Sequence, residues 1–169
     1  MPRISNNTAN TSYNVINVLP GHERTIERDV ILHGAPADGL TPGSVVVPFT
    51  GSSPSTSSFQ GATSRVEAPT GATRLPIAVL NISPINGYKL NETYKDGDQV
   101  PAIYPARGAS VNVRVVSNAA ISEGQLLTTA TNGSGFVIVG NDTNAVGIAR
   151  EDATTADPSK PTFILMEVL

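Results

Sequence analysis

The residues that could carry out chemistry are few in this sequence, and they do not cluster. The two histidines, His22 and His33, lie eleven positions apart, and there is no cysteine. A catalytic zinc ion needs further ligands at a recognisable spacing, and a nucleophile needs a base beside it, so two separated histidines match neither pattern. The lack of cysteine excludes disulfides, thiol nucleophiles and thiolate metal sites. The sequence therefore predicts no metal centre and no catalytic group.

Two short motifs have the composition of ligand-binding loops but lack the residues that would complete them. Asp96-Gly97-Asp98 could open a calcium loop, yet the downstream glutamate of such a loop is missing here. Gly133-Ser134-Gly135 precedes no predicted helix that could present amide groups to a phosphate. Both motifs are therefore predicted to be turns. We expect a protein that is not an enzyme, takes no cofactor and has no small-molecule substrate.

The charge and hydropathy of the chain restrict its partners. The 11 basic and 14 acidic residues give a formal net charge of -3, and the basic residues form no run. Because binding to phosphate backbones needs clustered lysines and arginines, free nucleic acid is not an expected partner. No apolar run approaches the roughly 18 residues of a membrane span, and the N-terminus lacks the apolar segment of a signal peptide. The protein is expected to be made in a cytosol, and to be used there or assembled there into something larger.

The composition predicts an all-β fold. Charged residues make up 15% of the chain, while 15 glycines and 13 prolines demand many turns. In residues 94–127, strand and turn signals alternate about every ten residues with no helical phase between them. Within that stretch, Val111–Val115 alternates apolar and polar residues, which is the pattern of a half-buried strand. The sequence predicts a small β-barrel-like domain with long polar loops, and residues 94–127 are expected to form corners of one closed barrel.

The same alternation assigns side chains to two faces of this strand. The three valines of Val111–Val115 are predicted to face the barrel interior, which leaves Arg107, Asn112 and Arg114 for the outside. Exposed arginines there could pair with acidic groups across an interface, because the planar guanidinium suits carboxylates. A solvated strand face is the alternative that remains open.

Further strands are predicted from apolar runs between turn residues. Residues 23–32 fit a helix or a strand, and the neighbouring β signals favour a strand. Phe163–Leu169 is so apolar that we predict a paired interior strand, since each large side chain left exposed would forfeit about 1.5–3 kcal/mol. Gly147 is expected to let another backbone approach closely. The predicted strands cover residues 13–19, 23–32, 44–49, 75–80, 100–104, 111–115, 125–127, 136–139, 145–149 and 163–169.

Two polar segments could reach beyond the domain. Residues 1–24 are predicted to form an N-terminal arm and first strand, and residues 25–169 a single barrel-like domain. The tail at residues 1–12 either frays or orders on a partner. The uncharged Ser/Thr/Gly segment 50–64 is either a mobile loop or a loop pinned by a neighbouring subunit, with Phe59 as its apolar anchor. The candidate interface residues are Tyr13, Val15, Ile16, Phe59, Arg107, Asn112 and Arg114.

A set of motifs follows one another in an order that resembles a known family. These motifs are Gly87-Tyr88-Lys89, Tyr94–Val100, Arg107-Gly108, Ile121–Leu127, Ala145–Ala149 and the terminal Met166–Leu169. In this order they resemble the bacteriophage capsid decoration (cement) proteins, which have a β-barrel-like fold sometimes called a β-tulip. The resemblance covers roughly residues 75–169, and the corner at residues 40–47 also fits. The long segment 50–64 and the polar N-terminus depart from the plainest members.

The resemblance implies a structural role on the outer surface of a tailed-phage head. Such a protein is assembled onto the virion in the host cytoplasm, often as a homotrimer, and it clamps neighbouring subunits of the major capsid protein. The family brings no catalytic residues. One alternative stays open, a carbohydrate- or host-surface-binding β module in a tail or head fibre. Its stacking platforms would be Tyr13, Tyr88, Tyr94 and Tyr104.

Overall fold

The computed structural model describes residues 26–49, 65–69, 76–82, 90–117, 119–154 and 162–169. In these residues the secondary structure consists of strands, turns and bends, without a helix. The prediction of an all-β chain is therefore confirmed. The strands are β1 (Ile26–Leu32), β2 (Val45–Pro48), β3 (Arg65–Glu67), β4 (Ala78–Leu80), β5 (Gln99–Tyr104), β6 (Ser110–Arg114), β7 (Ala120–Ile121), β8 (Leu126–Thr129), β9 (Val137–Val139), β10 (Gly147–Ala149), β11 (Ala153–Thr154) and β12 (Phe163–Val168).

Strands β1 to β5 form a closed barrel in the order β1-β3-β2-β4-β5. β5 closes the barrel by pairing antiparallel with β1, from Ile26 opposite Tyr104 to Ile31 opposite Gln99. The prediction of a small barrel is therefore confirmed. The barrel core includes ten side chains that are at most 2% exposed: Val30, Leu32, Leu40, Val46, Val66, Ala78, Leu80, Tyr94, Val100 and Ala102.

Strands β6, β12, β10, β8 and β9 form a second, five-stranded sheet in that order. Its two outer strands approach each other, because Val115 and Val137 form a parallel bridge. β12 pairs with β6 on one side and with β10 on the other, which confirms the predicted interior strand at the C-terminus. A Cβ at Gly147 would collide with the Met166 side chain and lie 2.6 Å from the Glu167 carbonyl oxygen, so the predicted close approach is also confirmed. β7 and β11 pair with each other.

The second sheet packs against the outside of the barrel, so that some barrel strands are buried on both faces. In β2, Val46 belongs to the barrel core and Val45 to a second core between the barrel and the sheet. β4 divides in the same way, with Leu80 inside the barrel and Val79 in the second core. A strand that is covered on both faces carries a continuous apolar run instead of an alternation. This explains the unbroken apolar sequence of residues 77–80.

The structure corrects the placement of Val111–Val115. The sequence predicts this strand in the same closed barrel as Val100–Tyr104, but only β5 lies in the barrel, and β6 belongs to the second sheet. The three valines are 0%, 0% and 4% exposed, as predicted. Alternation defines which face of a strand is buried but not which sheet the strand joins. The short strands β3, β7 and β11 are missed, because two or three residues are too few for a periodic pattern.

Some predictions concern residues outside the described ranges. The strand at residues 13–19 and the two alternatives for segment 50–64 are among them. The division into an arm, residues 1–24, and a single domain, residues 25–169, stays a prediction.

Candidate functional site

Arg114, which the sequence places outside, is buried where the barrel meets the second sheet. It ends β6 and is 8% exposed. Its Nε donates a hydrogen bond to the Pro42 carbonyl at 2.7 Å, and a terminal nitrogen donates to the Leu90 carbonyl. Its backbone N–H donates to the Gly43 carbonyl at 2.9 Å. The prediction of an outward-facing Arg114 is therefore wrong, because other parts of the chain cover the outer face of β6 at this position.

Two phenylalanine rings complete the surroundings of Arg114. Its guanidinium carbon lies 5.2 Å from the ring centre of Phe163 and 5.8 Å from that of Phe136. A cation over an aromatic face is attracted by the ring quadrupole. Gly43 makes room for this packing, since a Cβ there would lie 2.5 Å from a Phe163 ring atom and 2.9 Å from the Arg114 Cγ. Its φ of 89° also favours glycine.

Burial lowers the pKa of Arg114 from its ordinary value of 12.5 to about 10, because the charged form loses contact with water. At pH 7 the guanidinium still carries its charge. The charged guanidinium contacts backbone carbonyls and aromatic rings of its own chain. It is therefore not available to pair with a carboxylate of another protein. Arg114 is therefore a structural residue that ties the corner at residues 40–43 to the second sheet.

The other two predicted interface residues of this region lie apart from each other. Arg107 is exposed in the turn between β5 and β6. Asn112 is half-buried in the middle of β6, and it shares a face with Arg114 because side chains two positions apart in a strand point the same way. Arg107 and Arg114 lie at opposite ends of β6. The structure thus leaves Arg107 as the exposed member of the three.

The pairing directions of the barrel strands bring several chain segments to one end of the barrel. β1 runs antiparallel to β5 and parallel to β3, and β2 runs antiparallel to β3 and β4. At one end, therefore, β1, β3 and β4 begin while β2 and β5 end. We call this the Ile26 end, after the first residue of β1.

Most of the predicted interface residues belong to segments that join the barrel at the Ile26 end. Residues 1–25 enter there, and residues 50–64 leave after Phe49 and return at Arg65. Arg107 follows β5 at the same end. Along β1 these attachment points are separated, since Arg65 pairs beside Ile31 and Phe49 packs against His33, whereas residues 1–25 join at Ile26. Four predicted interface residues lie outside the described ranges: Tyr13, Val15, Ile16 and Phe59.

The surface of the Ile26 end is partly apolar. Ile26 is 46% exposed and lies opposite the half-buried Tyr104. Burial raises the pKa of the Tyr104 hydroxyl above its ordinary value of 10, and the positive charge of Arg28 partly offsets this effect. The exposure of Ile26 was not predicted from the sequence. The available signal is that charged residues follow it directly, at positions 27 to 29.

The tyrosines predicted as stacking platforms do not share one environment. Tyr94 is 1% exposed, and its hydroxyl donates a hydrogen bond to the Asn81 carbonyl at 2.8 Å. A ring that is enclosed in the barrel core cannot stack on a sugar, so the assignment of Tyr94 is wrong. Tyr104 keeps an accessible edge, and Tyr13 and Tyr88 lie outside the described ranges.

The motifs with the composition of ligand loops form turns. Asp96 accepts a hydrogen bond from the backbone N–H of Gly34 at 2.6 Å, and Asp98 accepts one from the N–H of Lys95 at 2.7 Å. Both carboxylates therefore serve as acceptors for backbone N–H groups of the turn region. The prediction of an ordinary turn at Asp96-Gly97-Asp98 is confirmed, with a φ of 84° at its glycine.

The second motif is also a turn. The N–H and the hydroxyl of Ser134 both donate to the side-chain oxygen of Asn132, at 3.1 Å and 2.6 Å. The ring of His33 packs against that of Phe49, with 4.0 Å between the two ring centroids. Across the described ranges, no three histidine or acidic side chains come together as a metal-binding group. The described part of the chain also contains no helix long and apolar enough to span a bilayer.

Comparisons with known proteins identify a structural likeness. No protein-family model matches the chain, and no curated protein matches it. Among solved structures, the chain is similar to the head fiber gp8.5 N base in bacteriophage phi29. The sequence identity is 13% and the TM-score is 0.48, over 86% of this chain and 94% of that chain.

Proposed function

We propose that this chain is a structural protein of a tailed-phage head. It is a decoration protein that binds the outer surface of the capsid and stabilises contacts between subunits of the major capsid protein. It acts as a homotrimer and is assembled onto the head in the host cytoplasm. It performs no catalysis, takes no cofactor or small-molecule substrate, and binds neither free nucleic acid nor a membrane.

The observation that supports this proposal most directly is where the family-like motifs lie in the fold. Asp96-Gly97-Asp98, Arg107-Gly108 and Glu123-Gly124 form the turns that precede β5, β6 and β8. The middle or last glycine of each has a positive φ, between 80° and 84°. Residues 145–149 and 166–169 contribute β10 and the second half of β12, which are inner strands of the second sheet. The motifs that resemble decoration proteins are thus the ones on which the β scaffold depends.

A packed domain with long polar segments joined to it is also consistent with the role of a decoration protein. Two cores hold the barrel and the second sheet together. The N-terminal segment joins the barrel at Ile26, and Arg107 follows β5 at the same end, whose Tyr104 lies opposite Ile26. We expect this end to face the capsid. A trimer that engages several capsid subunits at once gains affinity from multivalency, so each contact can be modest. An arm that orders on binding gives up some affinity but reaches a subunit that the barrel does not contact.

Binding to phage heads that lack the protein tests this proposal. Purified full-length protein is mixed with such heads, which are then sedimented, and the bound copies per head are counted. We expect saturable binding, a trimer by light scattering in free solution, and heads that withstand higher temperature when decorated. No cosedimentation at micromolar concentration would contradict the proposal.

Deletion of residues 1–12 tests the role of the arm. We expect an unchanged melting temperature and a lower occupancy on heads, because this polar segment is predicted to contact the capsid and not to supply side chains to the core. Thr131→Ala, an exposed change in the turn before β9, is the control and should bind like the wild type. Unchanged occupancy after the deletion would show that the arm does not attach to the capsid.

The alternative function is that of a carbohydrate- or host-surface-binding β module of a virion fibre. The observation in its favour is Tyr104, whose ring is half-buried beside the exposed Ile26. Tyrosine rings at such a surface can stack on sugars. A change in tyrosine fluorescence on titration with glycans, together with no binding to heads, would favour this alternative.

A further inference from the structure

The turn between β8 and β9 contains an asparagine–glycine pair that faces water. Asn132 is exposed, and Gly133 follows it with a φ of 75°. The turn is closed at its base by the Ala130 N–H, which donates to the Phe136 carbonyl at 2.7 Å. An asparagine side chain can react with the backbone nitrogen of the next residue, because this closes a five-membered ring. A glycine at that position has no Cβ to hinder the approach.

The hydrogen bonds of this turn polarise the side-chain carbonyl of Asn132. Its Oδ1 accepts from the backbone N–H of Ser134 at 3.1 Å and from the Ser134 hydroxyl at 2.6 Å. A backbone N–H can only donate, so the atom that faces Ser134 is the oxygen and not Nδ2. The hydroxyl oxygen of Ser134 accepts from the Phe136 N–H at 3.2 Å, which leaves its own proton for Asn132. Two donors on one carbonyl oxygen stabilise the negative charge that develops there when the carbonyl carbon is attacked.

The nitrogen that would attack is not occupied by another contact. Among the described residues, no oxygen accepts a hydrogen bond from the Gly133 N–H. The bonds to Ser134 also draw the Asn132 side chain forward along the chain, toward the Gly133 peptide. Asn132 is open to water, which the reaction consumes. An available nitrogen, a polarised carbonyl and water therefore meet in one turn.

We propose that Asn132 is a site of spontaneous covalent modification, at which the side-chain amide is lost as ammonia. The Gly133 nitrogen gives up its proton to base in the solvent and forms a bond to Cγ of Asn132. The bond between Cγ and Nδ2 breaks, Nδ2 leaves as ammonia with a proton from water, and a cyclic imide remains. Water then opens the imide. The product is aspartate when the bond from Cγ to the Gly133 nitrogen breaks, and isoaspartate when the bond from the backbone carbonyl carbon to that nitrogen breaks.

The two products differ in their effect on the junction between the barrel and the second sheet. Aspartate keeps the backbone unchanged, and its carboxylate accepts the same hydrogen bonds more strongly than the amide does. Isoaspartate adds one methylene group to the backbone of the turn. The turn ends against β2, since the Val45 N–H donates to the Gly135 carbonyl at 2.7 Å and a Cβ at Gly135 would lie 2.5 Å from the Val45 carbonyl oxygen. A longer turn disturbs this close approach, so isoaspartate should weaken the junction. This inference does not depend on the proposed function.

Peptide mapping by mass spectrometry measures the conversion. Wild type and the Ser134→Ala variant are incubated in mildly alkaline buffer, each with and without urea, and the converted fraction at Asn132 is followed over time. We expect folded Ser134→Ala to convert about fivefold more slowly than folded wild type, the effect of one ordinary hydrogen bond lost from the transition state. In urea the two chains should convert at the same rate, because the turn is absent. Equal or faster conversion of the folded variant, or an intact Asn132 in the folded wild type, would overturn the proposal.

Thermal melting of aged samples tests the effect on the junction. Asn132→Asp carries the charge of one product on an unchanged backbone. Asn132→Gln blocks conversion at this position, because its ring would need six members, and it retains Asn86-Gly87, the other asparagine–glycine pair of the sequence. We expect aged wild type to melt at a lower temperature than fresh wild type, while fresh Asn132→Asp melts like fresh wild type and ageing leaves Asn132→Gln unchanged. An unchanged melting temperature of aged wild type, or an equal loss in aged Asn132→Gln, would overturn the proposed effect on the junction.

Discussion

The first and the last strand of the described chain are similar in length but differ in their surroundings. β12 lies between β6 and β10, and its inward side chains at positions 164, 166 and 168 are at most 1% exposed. The first four residues of β1 are exposed, and β5 is their one described neighbour. The comparison teaches that the number of neighbouring strands, and not the length of a strand, decides how much it contributes to the fold.

Removal of residues 163–169 should have the largest effect. It takes away a central strand with three buried side chains, each worth about 1.5–3 kcal/mol, from a domain of about 5–15 kcal/mol total stability. We expect the truncated chain to lose its cooperative thermal transition in circular dichroism. The chain that lacks residues 1–12 is the control and should melt like the wild type. A truncated chain with an unchanged melting temperature would remove the distinction between the two strands.

A pair of isoleucine substitutions measures the same difference with a smaller change. Ile164→Ala removes a side chain that is 0% exposed, and we expect it to lower the free energy of unfolding by about 2–5 kcal/mol. Ile26→Ala removes one that is 46% exposed and should cost less than about 1 kcal/mol. Urea unfolding of both variants gives the two values. Equal losses would show that β1 is as strongly held as β12.

The junction between the barrel and the second sheet depends on Arg114. Arg114→Ala leaves the Pro42 and Leu90 carbonyls without their donor, and we expect a loss of about 1–3 kcal/mol in the free energy of unfolding. Arg107→Ala is the matched control on the exposed turn and should stay within about 0.5 kcal/mol of the wild type. If the two arginine variants unfold at the same urea concentration, Arg114 does not hold the junction.

The smallest effect concerns the pH dependence of stability at the Ile26 end. Burial is the main cause of the raised pKa of Tyr104 in the folded protein. Because folding favours the neutral hydroxyl, its contribution to stability is fully present below the unfolded pKa of 10. This contribution declines as the pH rises through the folded pKa. Tyr104→Phe cannot ionise. We expect the stability difference between wild type and variant to be constant below about pH 9, and the wild type to lose stability relative to the variant above pH 10. A constant difference up to pH 11 would contradict this assignment.

The strands were predictable where a local pattern extends over several residues. The alternation of Val111–Val115 and the apolar C-terminus each define a strand and its buried face, and the structure confirms both. The turn at Asp96-Gly97-Asp98 was equally accessible, because aspartate and glycine favour turns through their own backbone and side-chain chemistry.

The candidate site was less predictable. Arg114 follows the alternation that assigns it to the outer face of β6, but that face is covered by residues more than twenty positions away along the chain. Tyr94 packs in the barrel core, where its hydroxyl donates a hydrogen bond to the Asn81 carbonyl. No pattern in the neighbouring sequence indicates that Arg114 or Tyr94 is buried, since both are covered by segments that become neighbours only in the folded chain.

Local sequence patterns were enough to identify an all-β chain, the glycine turns that connect its strands, and the interior strand formed by its last residues. These properties follow from the backbone preferences of single residues and from a side-chain period of two. The division of the strands into a closed barrel and a second sheet, with Arg114 between them, is seen only in the folded chain. The reason is that strand pairing joins distant segments, and a pattern along one strand does not specify its partner.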